Sequence, residues 1–142
     1  MSYLPKSTSQ STPSNPTGTS STAAQVMMGL AGSITPKATG KLTIIISGNI
    51  TNSTAADGGK CQIRYGTGTA PTNGATATGT IAGGTPSLTA TVGNSDTIPF
   101  SCQAIVTGLT VGTTYWVDLG LAANTGGTTS VANISISIQE DD

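Results

Sequence analysis

Val106-Thr107-Gly108-Leu109-Thr110-Val111-Gly112-Thr113-Thr114-Tyr115-Trp116-Val117-Asp118-Leu119 reads as strand, tight corner, strand. Gly108 and Gly112 bracket the corner, where the backbone can take positive φ at no steric cost. Leu109 and Val111 place apolar weight inside the turn, and Tyr115 opens the next strand. A tyrosine at that position can bury its ring and hydrogen-bond its hydroxyl back to the corner backbone. This tyrosine corner staples one sheet of a β-sandwich to the other, so it speaks for architecture and not for catalysis.

The alternation that predicts strands continues on both sides. Leu42, Ile44, Ile46 and Ile50 share one parity against Thr43, Ser47 and Asn49. Cys61, Ile63 and Tyr65 alternate with Gln62 and Arg64, after an Asp57-Gly58-Gly59 turn. Leu88, Ala90 and Val92 form a weaker set, and Gly66 to Pro86 reads as a long loop or weak edge strand. Phe100, Cys102, Ala104 and Val106 alternate with Ser101, Gln103 and Thr107. Tyr115, Val117, Leu119 and Leu121 make an inward set, and Ile134, Ile136 and Ile138 close the chain. Seven or eight strands and no long helix predict an all-β fold: a single antiparallel β-sandwich, jelly-roll or immunoglobulin/fibronectin-like, over residues 25–142.

Ile45, Ile105 and Trp116 break the pattern, because they lie on faces predicted to point outward. They read either as scattered surface hydrophobes or a second layer under a loop, or as a subunit interface.

Residues 1–24 differ from the rest. The segment is rich in Ser, Thr and Pro and lacks any apolar period. It reads as a disordered tail, or as an extended arm that orders on a partner with Tyr3 and Leu4 as its anchors.

Composition bounds function more by exclusion. Ile, Leu, Val and Phe supply only 26 of 142 residues, but a net charge of -1 removes the high-charge half of the disorder signature. Five basic residues make no patch to hold a phosphate backbone, so no nucleic acid is expected. No apolar run is long enough to span a bilayer, and the first residues lack a signal-peptide order, so neither membrane nor secretion is expected. Cys61 and Cys102 are expected as a buried free pair, with a disulfide as the competing reading.

The absence of histidine removes Ser-His and Cys-His nucleophile pairs and imidazole metal ligands. Asp57 and Asp96 fit turns, Asp118 falls mid-strand on the outward parity, and Glu140-Asp141-Asp142 reads as a solvated tail. Carboxylates paired in space could do glycosidase chemistry, and Asp side chains with loop carbonyls could hold calcium, but no loop spacing supports that. The chain is therefore expected to be no enzyme and to carry no cofactor or metal. Three Asn-X-Ser/Thr matches, at Asn49, Asn52 and Asn133, carry little weight in so Thr/Ser-rich a sequence.

Two resemblances follow from these motifs. Val106 to Val117, with Gly108-Leu109 and Gly112-Thr113-Thr114-Tyr115, is similar to the late strands of fibronectin type III domains, although the early-strand Trp of that family is missing. Val26-Met27-Met28-Gly29-Leu30-Ala31-Gly32 through Lys41, Gln62 through Pro71, and Gly108 to Leu119 together resemble small β-sandwich structural proteins of tailed bacteriophages, the modules of capsid decoration proteins and tail fibres. That resemblance implies a virion protein assembled in the host cytoplasm, a homotrimer, with the major capsid protein or another virion protein as partner. One sandwich with one arm favours decoration of the head lattice. The competing reading is a tail-fibre or receptor-binding module for a host glycan or protein, against which the five aromatic residues argue as too few for a sugar platform.

Overall fold

A computed structural model of the chain describes residues 5–23, 25–89 and 96–142. The described residues form ten strand segments and no helix: β1 (Thr8–Ser11), β2 (Val26–Met27), β3 (Gly32–Ile34), β4 (Leu42–Asn52), β5 (Gly58–Thr67), β6 (Thr80–Ala82), β7 (Ser87–Thr89), β8 (Ile98–Val106), β9 (Tyr115–Ala123) and β10 (Thr129–Glu140).

Two antiparallel sheets result, ordered β1-β10-β4-β8 and β2-β9-β5-β6. β2 and β3 both pair with β9, and β6 and β7 both pair with β5, so each couple is one interrupted strand. Counted that way, the chain crosses between sheets again and again, and eight strand positions interleave as a jelly roll. The fold is thus the all-β antiparallel sandwich expected from the alternation, in its jelly-roll form.

The inward sets fill the space between the sheets. Leu42, Ile44, Ile46 and Ile50 of β4, Ile134, Ile136 and Ile138 of β10, and Phe100, Cys102, Ala104 and Val106 of β8 face Ile63, Val117, Leu119 and Leu121 of the other sheet. Each fully buried Ile or Leu stabilises by about 1.5–3 kcal/mol relative to exposure, which is how so few large apolar residues hold the domain. Cys61 and Cys102 are free thiols that meet across this core, with their sulfurs 3.4 Å apart.

The corner forms as the sequence dictates. Gly108 and Gly112 have φ of 76° and 87°. The Tyr115 hydroxyl accepts a hydrogen bond from the Thr110 backbone N–H at 2.9 Å, and the Tyr115 ring lies 6.3 Å from that of Tyr65.

Residues 5–23 lie along the sandwich. Thr8 to Ser11 pair with Gln139 to Ile136, which makes β1 the outer strand of the first sheet. Further on, Thr19 bridges Thr129, Thr17 and Asn15 bond to Asn73 and Asn133, and Ser21 receives the Ala123 N–H. The anchors expected in the arm, Tyr3 and Leu4, lie outside the described residues, as do Ala90 and Val92.

Candidate interaction surface

The two sheets differ in what covers their outer sides. On the second sheet the chain covers itself. Trp116 is only 6% exposed: its indole N–H donates to the Thr67 carbonyl at 3.2 Å, and its ring lies against the backbone of Gly66 and Gly79. A Cβ on Gly66 would meet the ring at 2.7 Å, so the glycine makes the room that the indole needs. Trp116 is thus covered by the chain's own Gly66, Thr67 and Gly79, a second layer over this sheet.

Asp118, two residues along β9, is also covered. Its carboxylate accepts the N–H groups of Gly29, Leu30 and Leu119 at 2.8–2.9 Å. Gly29 and Leu30 lie where β2 breaks off before β3, so Asp118 satisfies amides that the interrupted strand leaves unpaired. Burial pushes its carboxyl up, with the amides of Leu30, Leu119 and Gly29 opposing.

Among the described residues, the outer side of the first sheet is exposed or half-buried. Register places its outward residues in rows: Thr8, Gln139, Thr43 and Ile105; Gln10, Ser137, Ile45 and Gln103; Ser135, Ser47 and Ser101. None of these side chains is ionisable. Charge gathers at one margin: the Asp141 carboxylate accepts the Thr43 hydroxyl at 2.5 Å, Lys6 pairs with the Asp142 carboxylate, and Lys41 donates to the Asp142 carbonyl. Ile105 is 66% exposed and Ile45, its diagonal neighbour, is half-buried. A shallow hollow of about 370 Å³ lies beside them, lined by Thr43, Gly83, Gln103, Ala104 and Ile105. Two of the expected contact residues, Ile45 and Ile105, thus share one neutral face, while Trp116 belongs to the opposite sheet.

Two further buried carboxylates, Asp57 and Glu140, organise backbone. Asp57 accepts the Thr125 hydroxyl and the N–H groups of Gly58 and Thr125. The Thr125 hydroxyl, with these amides, holds its carboxyl below the ordinary value against a burial that would raise it. Glu140 corrects the sequence reading most clearly. The sequence pattern puts it in a solvated tail, but it is 1% exposed. Its carboxylate accepts N–H bonds from Ser7, Lys37, Ala38, Thr39 and Gly40 at 2.7–3.0 Å. Burial alone would raise its pKa, but the amides of Lys37, Ser7, Gly40 and Ala38 outweigh it and hold the carboxyl well below the usual range. Sequence reasoning missed this site because nothing local marks it: its donors, Ser7 and Lys37 to Gly40, lie a hundred or more residues away along the chain. Among the described residues no three His, Cys, Asp or Glu side chains gather as a metal site.

No protein-family model matches the sequence, and no curated protein matches it. Among solved structures the chain is similar to one in the structure of infectious bursal disease virus Gx strain, with a TM-score of 0.53 and 15% identity over 97% of this chain. The match spans 32% of the viral chain. A second similar structure is the Eiger TNF from S. frugiperda, with a TM-score of 0.46, 12% identity, and coverage of 97% of this chain and 94% of that one. At these identities the likeness to the viral chain is one of fold: a two-sheet antiparallel sandwich that also occurs in a virus structure.

Proposed function

We propose that this chain is a bacteriophage virion structural protein, a capsid decoration protein that binds the head lattice through the major capsid protein or another virion protein. The observation that carries the reading is the jelly roll shared with a chain of a virus structure, here with one outer face whose described strand rows, from Thr8–Ile105 to Ser135–Ser101, hold no ionisable side chain. Interface cores are depleted in charge, because burying an ionised group costs more than burying a neutral one. A face built of Thr, Ser, Gln and two isoleucines meets that condition. Self-association, as a homotrimer, uses the same face around Ile45 and Ile105. The count of three comes from the phage resemblance and not from the residues. The role is structural and not enzymatic, since each buried carboxylate is committed to holding backbone amides.

Cryo-electron microscopy of the purified particle tests this. Ordered copies across the head lattice are the expected result. Copies confined to the tail tip would replace the proposal with a receptor-binding role. Ile105→Asp should leave the fold intact and reduce self-association measured by light scattering. An unchanged oligomer would remove this face from the assembly.

A further inference from the structure

Cys61 and Cys102 are the two cysteines of the chain, and the fold sets them against each other. Cys61 lies within β5 of the second sheet beside Leu121, and Cys102 lies on β8 of the first beside Ile46. Their exposures are 0% and 5%. Their sulfurs, 3.4 Å apart, need to approach by about 1.4 Å to reach bonding distance. The two thiols stand on facing sheets, so a bond between them would tie the two layers of the sandwich together.

We propose that Cys61 and Cys102 are a covalent modification site, closed by a small disulfide oxidant such as oxidised glutathione into a cross-sheet disulfide. Cys102 reacts first. It lies on β8, which takes an outer position in its sheet, where local opening is less costly than in a central strand. The hydrogen bond with Cys61 also holds Cys102 below the ordinary thiol range against its burial, whereas that bond and burial push Cys61 up. The Cys102 sulfur attacks the oxidant, forms a mixed disulfide and releases one glutathione thiol, which takes the Cys102 proton. The Cys61 sulfur, already in line of reach, then attacks the Cys102 sulfur. The second glutathione leaves with the Cys61 proton. The two protein thiols lose two electrons, and one oxidised glutathione becomes two thiols.

The chain would then be reduced when it folds in a thiol-rich compartment and cross-linked once it reaches an oxidising one. The bond would close a loop running from β5 through β6 and β7 to β8, and so restrict the unfolded chain.

The full chain, reduced and desalted, is incubated for days with oxidised glutathione, then denatured and alkylated without reductant for mass spectrometry. The expected product is an unadducted monomer with no alkyl group. Its melting temperature should rise by about 5–15 °C and return to the starting value with dithiothreitol. Cys61→Ala should stop at a single glutathione adduct on Cys102, and Cys102→Ala should take none. Wild-type chain that keeps two alkylatable thiols overturns the proposal without reference to any variant. So does a chain that stops at a glutathione adduct, or a bridge that leaves the melting temperature unchanged or lowers it.

Discussion

The Glu140 carboxylate accepts the backbone N–H of Ser7 at 2.9 Å, and the Glu140 N–H donates to the Ser7 carbonyl at 2.9 Å. This reciprocal pair joins the two ends of the chain at the point where Lys37 to Gly40 also converge on the same carboxylate. Glu140→Gln replaces one accepting oxygen by a donor that points at amides, and should cost about 2–4 kcal/mol in urea unfolding near neutral pH. The pH dependence has a definite sign. The folded carboxyl lies below its ordinary value of 4.5, so its stabilisation is complete above that value. It is lost as pH falls below it toward the folded value. Unfolding midpoints measured from about pH 6 to pH 2 should therefore fall more steeply for wild type than for Glu140→Gln. Equal slopes would contradict the role given to this group.

Tyr115→Phe isolates one hydrogen bond. The ring stays in place beside Tyr65, and only the acceptor for the Thr110 N–H is removed. The expected loss is about 0.5–1.5 kcal/mol, because Thr110 is exposed enough for water to replace the hydroxyl. Denaturant midpoints of the two proteins give the number. No loss would mean that the glycine corner holds its shape without the tyrosine.

The parts of the fold legible in the sequence are those where burial is one-sided. β4, β8 and β10 have one face in the core and one outside, so their alternation appears directly in Leu42 to Ile50, Phe100 to Val106 and Ile134 to Ile138. β9 is buried along its whole length and reads less plainly, because Trp116, Asp118, Gly120 and Ala122 face a second layer. The only sign of that layer is the run of small residues from Gly66 to Pro86, which resembles a loop and also is what an indole needs overhead. β1 has no apolar residue at all. Its place comes from the backbone of β10 and from Glu140, neither of which local composition reports. For the interaction surface, Ile45 and Ile105 were readable as exceptions on outward positions, but the register that sets them diagonally together depends on pairing β4 with β8.

Trp116 gives an optical test of the second layer. Its emission should be short-wavelength and poorly quenched by acrylamide even at concentrations where the chain is monomeric. Gly79→Ala should disturb it, since Gly79 has φ of 78° and an added Cβ would clash with the indole ring. A cost of about 1–3 kcal/mol and a red shift are expected. Wild-type emission typical of water would place the indole outside the layer.

The last prediction concerns β1. A free N-terminal arm should be removable without effect on the sandwich, whereas a strand of the jelly roll should not. Deleting residues 2–11 takes away the pairing of Thr8 to Ser11 with β10, the Ser7 N–H at Glu140, and the bond at 2.5 Å from the Ser7 hydroxyl to the Thr35 carbonyl. At about 0.5–1.5 kcal/mol for each net hydrogen bond, offset by the entropy of ordering a short polar segment, the loss should be roughly 2–4 kcal/mol. The deletion also bares the backbone of β10 from Ile136 to Gln139, an open edge that invites pairing with another chain. The shortened protein should therefore melt lower and associate more than the full chain. A synthetic peptide of residues 2–11 added in excess should restore both properties, because it offers the same strand in trans. If the deletion variant melts with the full chain and stays equally dispersed, the segment is a passive tail that only happens to rest on β10.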